Sequence, residues 1–450
     1  MTRTVAIAGG GLAGLTCAKS LVDAGLHVRV FEGLPFLGGR ASTFRDADGD
    51  WIEQGLHIFL GTYSEFKKLL REIDQPPDDV LHWMTEIRIK DPAGTDAVYG
   101  TNPFRAPFKT LLSALGQNNF LGPLDKLKML PITTPALMGM ESLRERFDDM
   151  TVAQWWAQMN GTSDVLERVL RPFCRAIQFT DVEAFSAYNF LGWIHHVLYD
   201  LPHSLAGGYR GARDELIFQP LAKYLTRCGA SIQTGVQLRE IQYSAESNRI
   251  TGFVLESGEQ VIANAYVAAL PAWAFVPLIP HALRRHPFFA SIAELPVAPA
   301  IAVQIWFDRE GVGTTDYTLM ARTAVPVYQE QSKLTYPTRG GDRISTTISP
   351  ADDYLSWSDA ELVRYTLDAL GQVEPGLREA RVVKSVVLKH KQHLIRPAPG
   401  VMSARPTQVT PVPNLFLAGD WTQQDYFGSQ EGAVRSGRAC AAHVLHPSAS

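Results

Sequence analysis

The spacing of apolar residues changes twice within the first 32 positions of the chain. Residues 5–8 form an unbroken apolar run, which predicts a strand buried on both faces of a parallel sheet. A helical period of apolar residues then runs through residues 12–22, and a second apolar run at residues 28–31 ends at Glu32. This order predicts a strand, a turn, a helix and a second strand, as at the start of an open α/β sheet.

The rest of the pattern predicts both helices and strands. Residues 141–200 carry apolar stripes at helical spacing and predict a group of helices. Near the end, an apolar strand at residues 415–418 precedes a helix with a face of small residues. Further strands are predicted at residues 301–307 and, as a three-stranded meander, at residues 231–241, 249–256 and 260–269. The fold class is therefore predicted to be α/β (α+β).

The turn after the first strand carries the G-x-G-x-x-G spacing in Gly9, Gly11 and Gly14. The first glycine permits the tight turn, the second lets the main chain approach a pyrophosphate, and the third lets the helix pack closely on the sheet. The helix then begins at Leu12 and Ala13, where its free N–H groups and the positive end of its dipole point at the phosphates.

Glu32 ends the second predicted strand, where a carboxylate suits a ribose 2′-hydroxyl and disfavours a 2′-phosphate. A glycine-rich turn can also be only a tight turn, but here the order of strand, glycines, helix, strand and acid is complete. The stretch predicts a dinucleotide site and does not distinguish NAD from FAD.

Size and composition narrow the class of protein. The chain has 450 residues, of which 46% are hydrophobic and 20% charged, so we expect a globular protein with two domains. The net charge of −4 argues against nucleic acid as a partner. The four cysteines lack zinc-ligand spacing, and no metal is assigned. Because the first strand begins almost at Met1, we expect no signal peptide, and prolines within residues 266–280 argue against a membrane span.

Two loops after the second strand carry a family resemblance. Gly38, Gly39 and Arg40 form a GG-R loop, and residues 51–63 follow the pattern W-x-E-x-G-L-H-x-F-x-G-x-Y. Both resemble the superfamily of FAD-dependent amine oxidases and carotenoid desaturases, and most closely the phytoene and ζ-carotene desaturases of plants and cyanobacteria. The resemblance implies FAD as the cofactor. It assigns Gly38, Gly39, Arg40, Gly55 and His57 to cofactor binding, and Phe59 and Tyr63 to the substrate.

The stretch at residues 414–445 is the second strong signal. An acid at a strand end, Asp420, can bind a polyhydroxyl chain, and the helix that begins at Glu431 can stabilise negative charge on a reduced flavin. The stretch resembles the FAD-closing signature of ζ-carotene desaturases but departs from it at Trp421, Gln423 and Gln430. The resemblance assigns Gly419, Asp420, Glu431, Gly432, Ala433, Val434 and the main chain of Val236 to the cofactor, and Tyr426 to the substrate.

The resemblance also implies a domain organisation. A discontinuous Rossmann-type FAD-binding domain is expected at residues 1–75, 210–284 and 396–450, with an inserted substrate domain at residues 76–209 and 285–395. Within the insertion, residues 104–140 hold many apolar residues and the charged residues Arg105, Lys109, Lys126, Lys128 and Asp125. This mostly helical segment is predicted to face an anionic membrane surface, although an ordinary helical lid would show the same pattern.

The sequence as a whole predicts an FAD-dependent oxidoreductase of carotenoid biosynthesis that desaturates a long isoprenoid hydrocarbon by hydride transfer to flavin N5. We expect it in the cytoplasm, peripherally bound to the inner face of the membrane, with quinone or oxygen as electron acceptor. Catalytic residues are not assigned. The alternatives are a hydroxysqualene dehydroxylase, a flavin amine or protoporphyrinogen oxidase acting on a polar substrate, and a flavin-binding protein without enzymatic activity.

Overall fold

A computed structural model describes residues 3–84, 86–100, 120–314, 317–337 and 340–446. Its strands, in chain order, are β1 (Thr4–Ala8), β2 (His27–Glu32), β3 (Thr43–Arg45), β4 (Trp51–Glu53), β5 (Phe59–Leu60), β6 (Leu81–Met84), β7 (Glu86–Asp91), β8 (Thr95–Gly100), β9 (Ala206–Tyr209), β10 (Ser231–Thr234), β11 (Leu238–Ser244), β12 (Arg249–Leu255), β13 (Gln260–Val261), β14 (Ala265–Ala268), β15 (Val297–Phe307), β16 (Thr318–Met320), β17 (Val327–Glu330), β18 (Arg343–Ile348), β19 (Val382–Ile395) and β20 (Leu415–Leu417).

The helices are α1 (Leu12–Asp23), α2 (Ser64–Glu72), α3 (Pro77–Val80), α4 (Pro123–Lys128), α5 (Met140–Phe147), α6 (Val152–Gln158), α7 (Ser163–Val165), α8 (Arg171–Gln178), α9 (Ala187–Tyr199), α10 (Gln219–Arg227), α11 (Ala272–Phe275), α12 (Pro287–Ala293), α13 (Asp359–Val373), α14 (Val401–Ala404) and α15 (Gln430–Leu445). The chain thus has a mixed α/β fold, and α5 to α9 confirm the predicted helices at residues 141–200.

The parallel sheet confirms the strand–helix–strand start that the sequence predicts. Its order is β10-β2-β1-β14-β20, and β1 is fully buried from Val5 to Ile7, as expected for a strand covered on both faces. Because β1 is central and its neighbours run parallel to it, their carboxyl ends meet at one edge. Glu32 ends β2 at that edge, and Asp420 follows β20 there.

The predicted three-stranded meander is right in its middle and wrong at both ends. The structure divides residues 231–241 at Gly235, whose φ of 69° breaks the strand, and divides residues 260–269 before Ala265. The outer pieces, β10 and β14, belong to the parallel sheet, whereas β11, β12 and β13 form the antiparallel sheet. An alternation of apolar and polar residues predicts a strand, but it does not show where the chain leaves one sheet and enters another.

A larger mixed sheet has the order β19-β15-β18-β17-β16-β7-β8, and the strand predicted at residues 301–307 lies within β15. A small sheet, β5-β9-β6, connects residues 59–84 to the chain at residues 206–209. In the described part of the chain, none of the helices combines the length and apolar composition that crossing a bilayer requires.

Two glycines set the spacing of α1 from its neighbours. A Cβ atom on Gly14 would lie 2.0 Å from the carbonyl oxygen of Gly9, so α1 packs directly on the turn that follows β1. A Cβ atom on Gly437 would lie 2.4 Å from the carbonyl oxygen of Ala13, so α15 packs equally closely on α1. A larger side chain at position 14 would push α1 away from the turn, and one at position 437 would push α15 away from α1.

We predict that Gly437→Ala lowers the free energy of unfolding by about 1–3 kcal/mol, because its methyl group must displace the main chain of α1. Urea unfolding monitored by circular dichroism measures this difference. The control is Gly371→Ala in α13, where the added Cβ would meet its nearest atom at 3.5 Å and alanine favours the helix. Equal stability of the two variants would contradict the close-packing argument.

Candidate functional site

A cavity of about 600 Å³ lies where the carboxyl edge of the parallel sheet meets the larger mixed sheet. We call one part of the lining the polar wall; it carries the side chains of Glu32, Arg40, Gln54, His57, His390, Gln392, His393 and Asp420. A second part, the apolar wall, carries those of Leu56, Ile58, Ile87, Phe173, Ala176, Ile177, Phe179, Trp193, Ile194, Val197, Leu205 and Ala206. The glycine turns and further side chains, among them Thr62, Tyr63, Ser204, Trp273, Ser429 and Gln430, also line the cavity.

Both glycine loops predicted to bind phosphate lie side by side on this cavity. The main-chain N–H of Gly38 donates to the carbonyl of Gly10 at 2.9 Å, which joins the GG-R loop to the first glycine turn. A Cβ atom on Gly11 would meet no atom within 4 Å, so the space above it is open cavity. Gly9, Gly39, Leu12 and Ala13 also line it. Since no described side chain caps α1, its first N–H groups remain available to an anion.

Glu32 lies at one end of the cavity, held by main chain. Its Oε2 accepts from the N–H of Gly10 at 2.7 Å and its Oε1 accepts from the N–H of Leu34 at 2.8 Å. A carboxylate has about four acceptor sites, so both oxygens can still accept from ribose hydroxyls. The N–H of Val236 donates to the main-chain carbonyl of Glu32 at 2.8 Å, which puts Val236 beside this end, although it does not line the cavity.

Arg40 and Asp420 face each other across the polar wall. The Nη2 of Arg40 donates to the Oδ1 of Asp420, and its Nη1 donates to the carbonyl of His393 at 3.1 Å. The guanidinium also lies 5.9 Å from the ring centre of Trp273. Asp420 is largely buried and Arg40 is about one-third exposed, so the arginine can turn towards a phosphate while the acid stays fixed.

The closing motif divides between the cavity and its support. Gly419 and Ala433 line the cavity, whereas Gly14, Gly432 and Val434 are packed behind it. Glu431 is fully buried, and its carboxylate accepts from the N–H groups of Glu65 at 3.1 Å and Phe66 at 2.8 Å. It therefore caps α2, and a contact between Glu431 and the cofactor stays a prediction.

Three aromatic residues assigned to the substrate take different positions. Tyr63 lines the cavity and packs edge-on against Tyr426 at 5.9 Å. Tyr426 does not line the cavity; its ring stacks on His196 at 3.9 Å. Phe59 is fully buried within a group of aromatic rings behind the wall. Of the three, the structure brings only Tyr63 to the cavity surface.

Three uncharged histidines line the polar wall. The Nδ1 of His57 donates to the carbonyl of Gly55 at 2.6 Å, and the Nε2 of His390 donates to the carbonyl of Gln54 at 2.9 Å. Because a carbonyl only accepts, each neutral ring keeps its other nitrogen as a lone pair. Burial, with Arg213, Arg40 and His390 nearby, lowers the pKa of His57 to about 3. Burial also lowers the pKa values of His390 and His393.

Arg213 joins the glycine loops to the larger sheet. Its Nε donates to the carbonyl of Ala41 at 2.7 Å, and its Nη1 lies 3.3 Å from the Oε2 of Glu53. The Oε1 of Glu53 in turn accepts from the Oγ of Ser345 at 2.5 Å and the Nε2 of Gln331 at 3.0 Å. Both members of this ion pair are fully buried, so removing either would leave an unpaired buried charge.

No pattern in the sequence indicates His390 or His393 as site residues. Side chains three apart on a regular strand point to opposite faces. In the structure, Leu394 pairs with Ala298 and His390 with Ala300, so the intervening residues of β19 form a bulge. The bulge lets both histidines face the cavity. The sequence also does not indicate a role for Arg213 in the site, because a single arginine is usually a surface charge.

The residues at the cavity fit the FAD that the sequence predicts. Gly11 leaves the space that a pyrophosphate needs, and α1 offers uncapped N–H groups beside Arg40. Glu32 and Asp420 lie on the same cavity and suit ribose and ribityl hydroxyls.

Comparisons with known proteins agree on one family. The family model described as flavin containing amine oxidoreductase matches residues 12–445. The chain is 31% identical to a 15-cis-phytoene desaturase of Synechococcus elongatus, over 98% of this chain and 95% of the relative. It is 30% identical to a probable ζ-carotene desaturase of the same organism, over 99% of each chain. A solved oxidoreductase of Methanosarcina mazei, 18% identical, superposes with a TM-score of 0.74 over 98% of this chain and 99% of the other.

The histidine environment predicts an acid-sensitive fold. The unfolded chain takes up a proton on His57 near pH 6.5, whereas the folded chain does so only near pH 3. Stability contributed by keeping this ring neutral is therefore lost as the pH falls below 6.5, by about 2 kcal/mol at pH 5. Urea unfolding at pH 7 and pH 5 should show a smaller loss for His57→Gln than for the wild type. His281→Gln, at an exposed site, is the control, and equal losses in all three proteins would contradict the assignment.

Proposed function

The chain belongs to the flavin-containing amine oxidoreductase family and is an FAD-dependent oxidoreductase, and from this premise we propose that it desaturates a long isoprenoid hydrocarbon of the phytoene or ζ-carotene type. Curated relatives with these substrates in their names match nearly the whole chain. The substrate class and the carbon–carbon double bond that the reaction forms are what we propose here.

The apolar wall is the observation that carries this proposal. Every side chain of that wall is a hydrocarbon or an aromatic ring, and most come from α8, α9 and the small sheet. A substrate without polar groups gains about 0.8 kcal/mol for each CH₂ that such a surface removes from water. Catalysis on it depends on positioning, because it offers nothing for charged side chains to bind.

FAD would be held by the glycine loops, Glu32, Arg40 and Asp420. When bound, it supplies a two-electron acceptor for the hydride that a desaturation releases, at flavin N5. The apolar wall holds the reacting C–H and keeps water away from it. Gly55 and His57, which adjoin both walls, are proposed to contact the cofactor as well.

A polar amine suits this cavity less well. A protonated amine needs an acid beside it, but the acids among the described lining residues, Glu32 and Asp420, are the ones that would bind the hydroxyl groups of FAD. The cations and burial that lower the pKa of His57 would also disfavour an ammonium group. Among the alternatives, a hydroxysqualene dehydroxylase shares the apolar substrate and stays open to direct test.

We further propose that the protein docks on the inner face of the membrane to collect its substrate. Residues 104–119 of the predicted segment, including Lys109, lie outside the described residues. In its described part, Leu124 and Leu127 on α4 are each 61% exposed and Leu137 is 89% exposed. The stretch Leu130–Leu137 packs on α9, whose Ile194 and Val197 belong to the apolar wall.

These exposed leucines therefore lie close to the helix that forms the apolar wall, with Lys126 and Lys128 beside them. Such a surface suits an anionic bilayer, from which a long polyene would scarcely partition into water. The reduced flavin would then pass its electrons to quinone within the bilayer or to oxygen.

Anaerobic reduction of the flavin tests the desaturase assignment. Holoprotein mixed with liposomes that carry phytoene or ζ-carotene should lose its oxidised flavin band, and extraction should yield a longer polyene. The same liposomes without substrate are the control. An unchanged spectrum with both substrates would contradict the proposal.

The dehydroxylase alternative runs in the opposite redox direction. It replaces a C–OH bond by C–H, so it would consume reduced flavin. Prereduced holoprotein given hydroxysqualene would then regain its oxidised band and form squalene.

Membrane docking can be tested by reversing charge. Lys126→Glu with Lys128→Glu should weaken binding to anionic liposomes by at least about tenfold, since each basic residue contributes about 1 kcal/mol at such a surface. Co-sedimentation measures this binding, and FAD content should stay unchanged. Lys68→Glu with Lys223→Glu makes the same charge change at exposed sites elsewhere. Equal binding of both double variants would contradict the docking surface.

A further inference from the structure

We propose that His393 is a catalytic residue that accepts the proton released when each double bond is introduced. This inference rests on the proposed desaturase function and assigns a chemical role on the polar wall. It concerns a histidine whose position depends on the bulge in β19.

Among the residues that the structure describes, none forms a hydrogen bond with the imidazole of His393. Its side chain is 7% exposed, and it lines the cavity. Within the described residues, its main-chain carbonyl accepts from Arg40, while its ring makes only ring contacts, to Phe179 at 5.1 Å and to His390 at 5.1 Å. An imidazole that faces the cavity in this way can exchange a proton with a bound molecule.

The neighbours of His393 put it at the boundary between the two walls. Phe179 belongs to the apolar wall, and Arg40, whose guanidinium the His393 carbonyl binds, belongs to the cofactor side. A group at this boundary can reach a hydrocarbon that lies against the apolar wall. Glu32 and Asp420 are already committed, to main-chain N–H groups and to Arg40 respectively.

The other titratable groups on the cavity are less suited to accept a proton from the substrate. Burial raises the pKa of the Tyr63 hydroxyl well above its usual value, so it is a donor. His57 and His390 each donate one ring N–H to a carbonyl of the loop at residues 54–55, which fixes the direction of their remaining lone pair. Among the described residues, the ring of His393 has no such hydrogen bond, so it can present its lone pair to the substrate, and the lone pair of His390 beside it can receive the proton next.

Burial is the main reason why His393 stays unprotonated before the reaction, and the positive charge of Arg40 adds to it. Burial, then His390, Arg40 and His57, lower its pKa well below the usual value. The acid near it, Asp420, is paired with Arg40, and Glu53 is paired with Arg213. A weak base of this kind accepts a proton only from a strong acid, such as a carbon next to one that has lost a hydride, and it releases that proton readily afterwards.

The proposed step balances in atoms and electrons. One C–H bond of the substrate breaks, and its hydrogen leaves with both electrons as a hydride to oxidised FAD. The neighbouring C–H bond then breaks, its proton goes to His393, and its electron pair becomes the new π bond. The substrate loses two electrons and two hydrogens, the flavin is reduced by two electrons, and the proton passes from the imidazole to solvent.

Substitutions at His393 separate proton acceptance from hydrogen bonding. His393→Gln keeps a hydrogen-bonding side chain of similar reach but loses basicity, and His393→Ala leaves space for added imidazole. We expect both variants to keep their FAD and to bind the substrate as the wild type does when the flavin is prereduced. Until the proton is removed, the substrate cation can take the hydride back, so net anaerobic flavin reduction by that substrate should be about 100-fold slower in both variants. Added imidazole should restore the rate of His393→Ala. His281→Gln is the control.

The outcomes separate this inference from the function on which it rests. A wild-type rate in His393→Gln would overturn the proposal, as would a slow His393→Ala that imidazole does not rescue. Loss of FAD from both variants would overturn it by making His393 a cofactor ligand. If no isoprenoid hydrocarbon reduces the wild-type flavin, the desaturase function fails and the role of His393 fails with it.

Discussion

The close approach of α1 to the turn after β1 is the constraint on which the rest of the structure depends. Because Gly14 has no side chain, α1 begins directly at the carboxyl edge of the parallel sheet, and its first N–H groups reach the cavity. Gly437 lets α15 pack on α1 in the same way, which fixes the loop from Asp420 onwards. Residues as far apart in the chain as Glu32 and Asp420 thereby form one polar wall.

The second constraint is the buried contact between that wall and the larger sheet. Arg213 binds the loop at Ala41 and pairs with Glu53, whose carboxylate reaches Ser345 on β18. Through these contacts the glycine loops and β15–β19 keep a fixed relation across the cavity. Burial in this arrangement lowers the pKa of His57, and the positive charges of Arg213 and Arg40 lower it further. Cofactor chemistry and an apolar substrate surface can then share one cavity.

Local rules predicted the parts of the site that lie in single turns. The sequence predicts Gly9, Gly11 and Glu32 as site residues because each follows from the geometry of one strand–turn–helix unit, and all three line the cavity. Contacts that join distant segments of the chain cannot be predicted from such local patterns. The alternation of β19 gave no sign of the bulge that turns His390 and His393 to one side, nor did the motif around Glu431 indicate that its carboxylate caps α2.

We propose that a single cavity holds FAD along its polar wall and an isoprenoid chain along its apolar wall. The most direct measurement is a crystal structure of the FAD-loaded protein with a bound carotenoid precursor. We expect the pyrophosphate to lie over the N–H groups of Leu12 and Ala13, and the hydrocarbon to lie against α8 and α9. Hydrocarbon bound elsewhere, or a cofactor that itself fills the apolar wall, would contradict the claim.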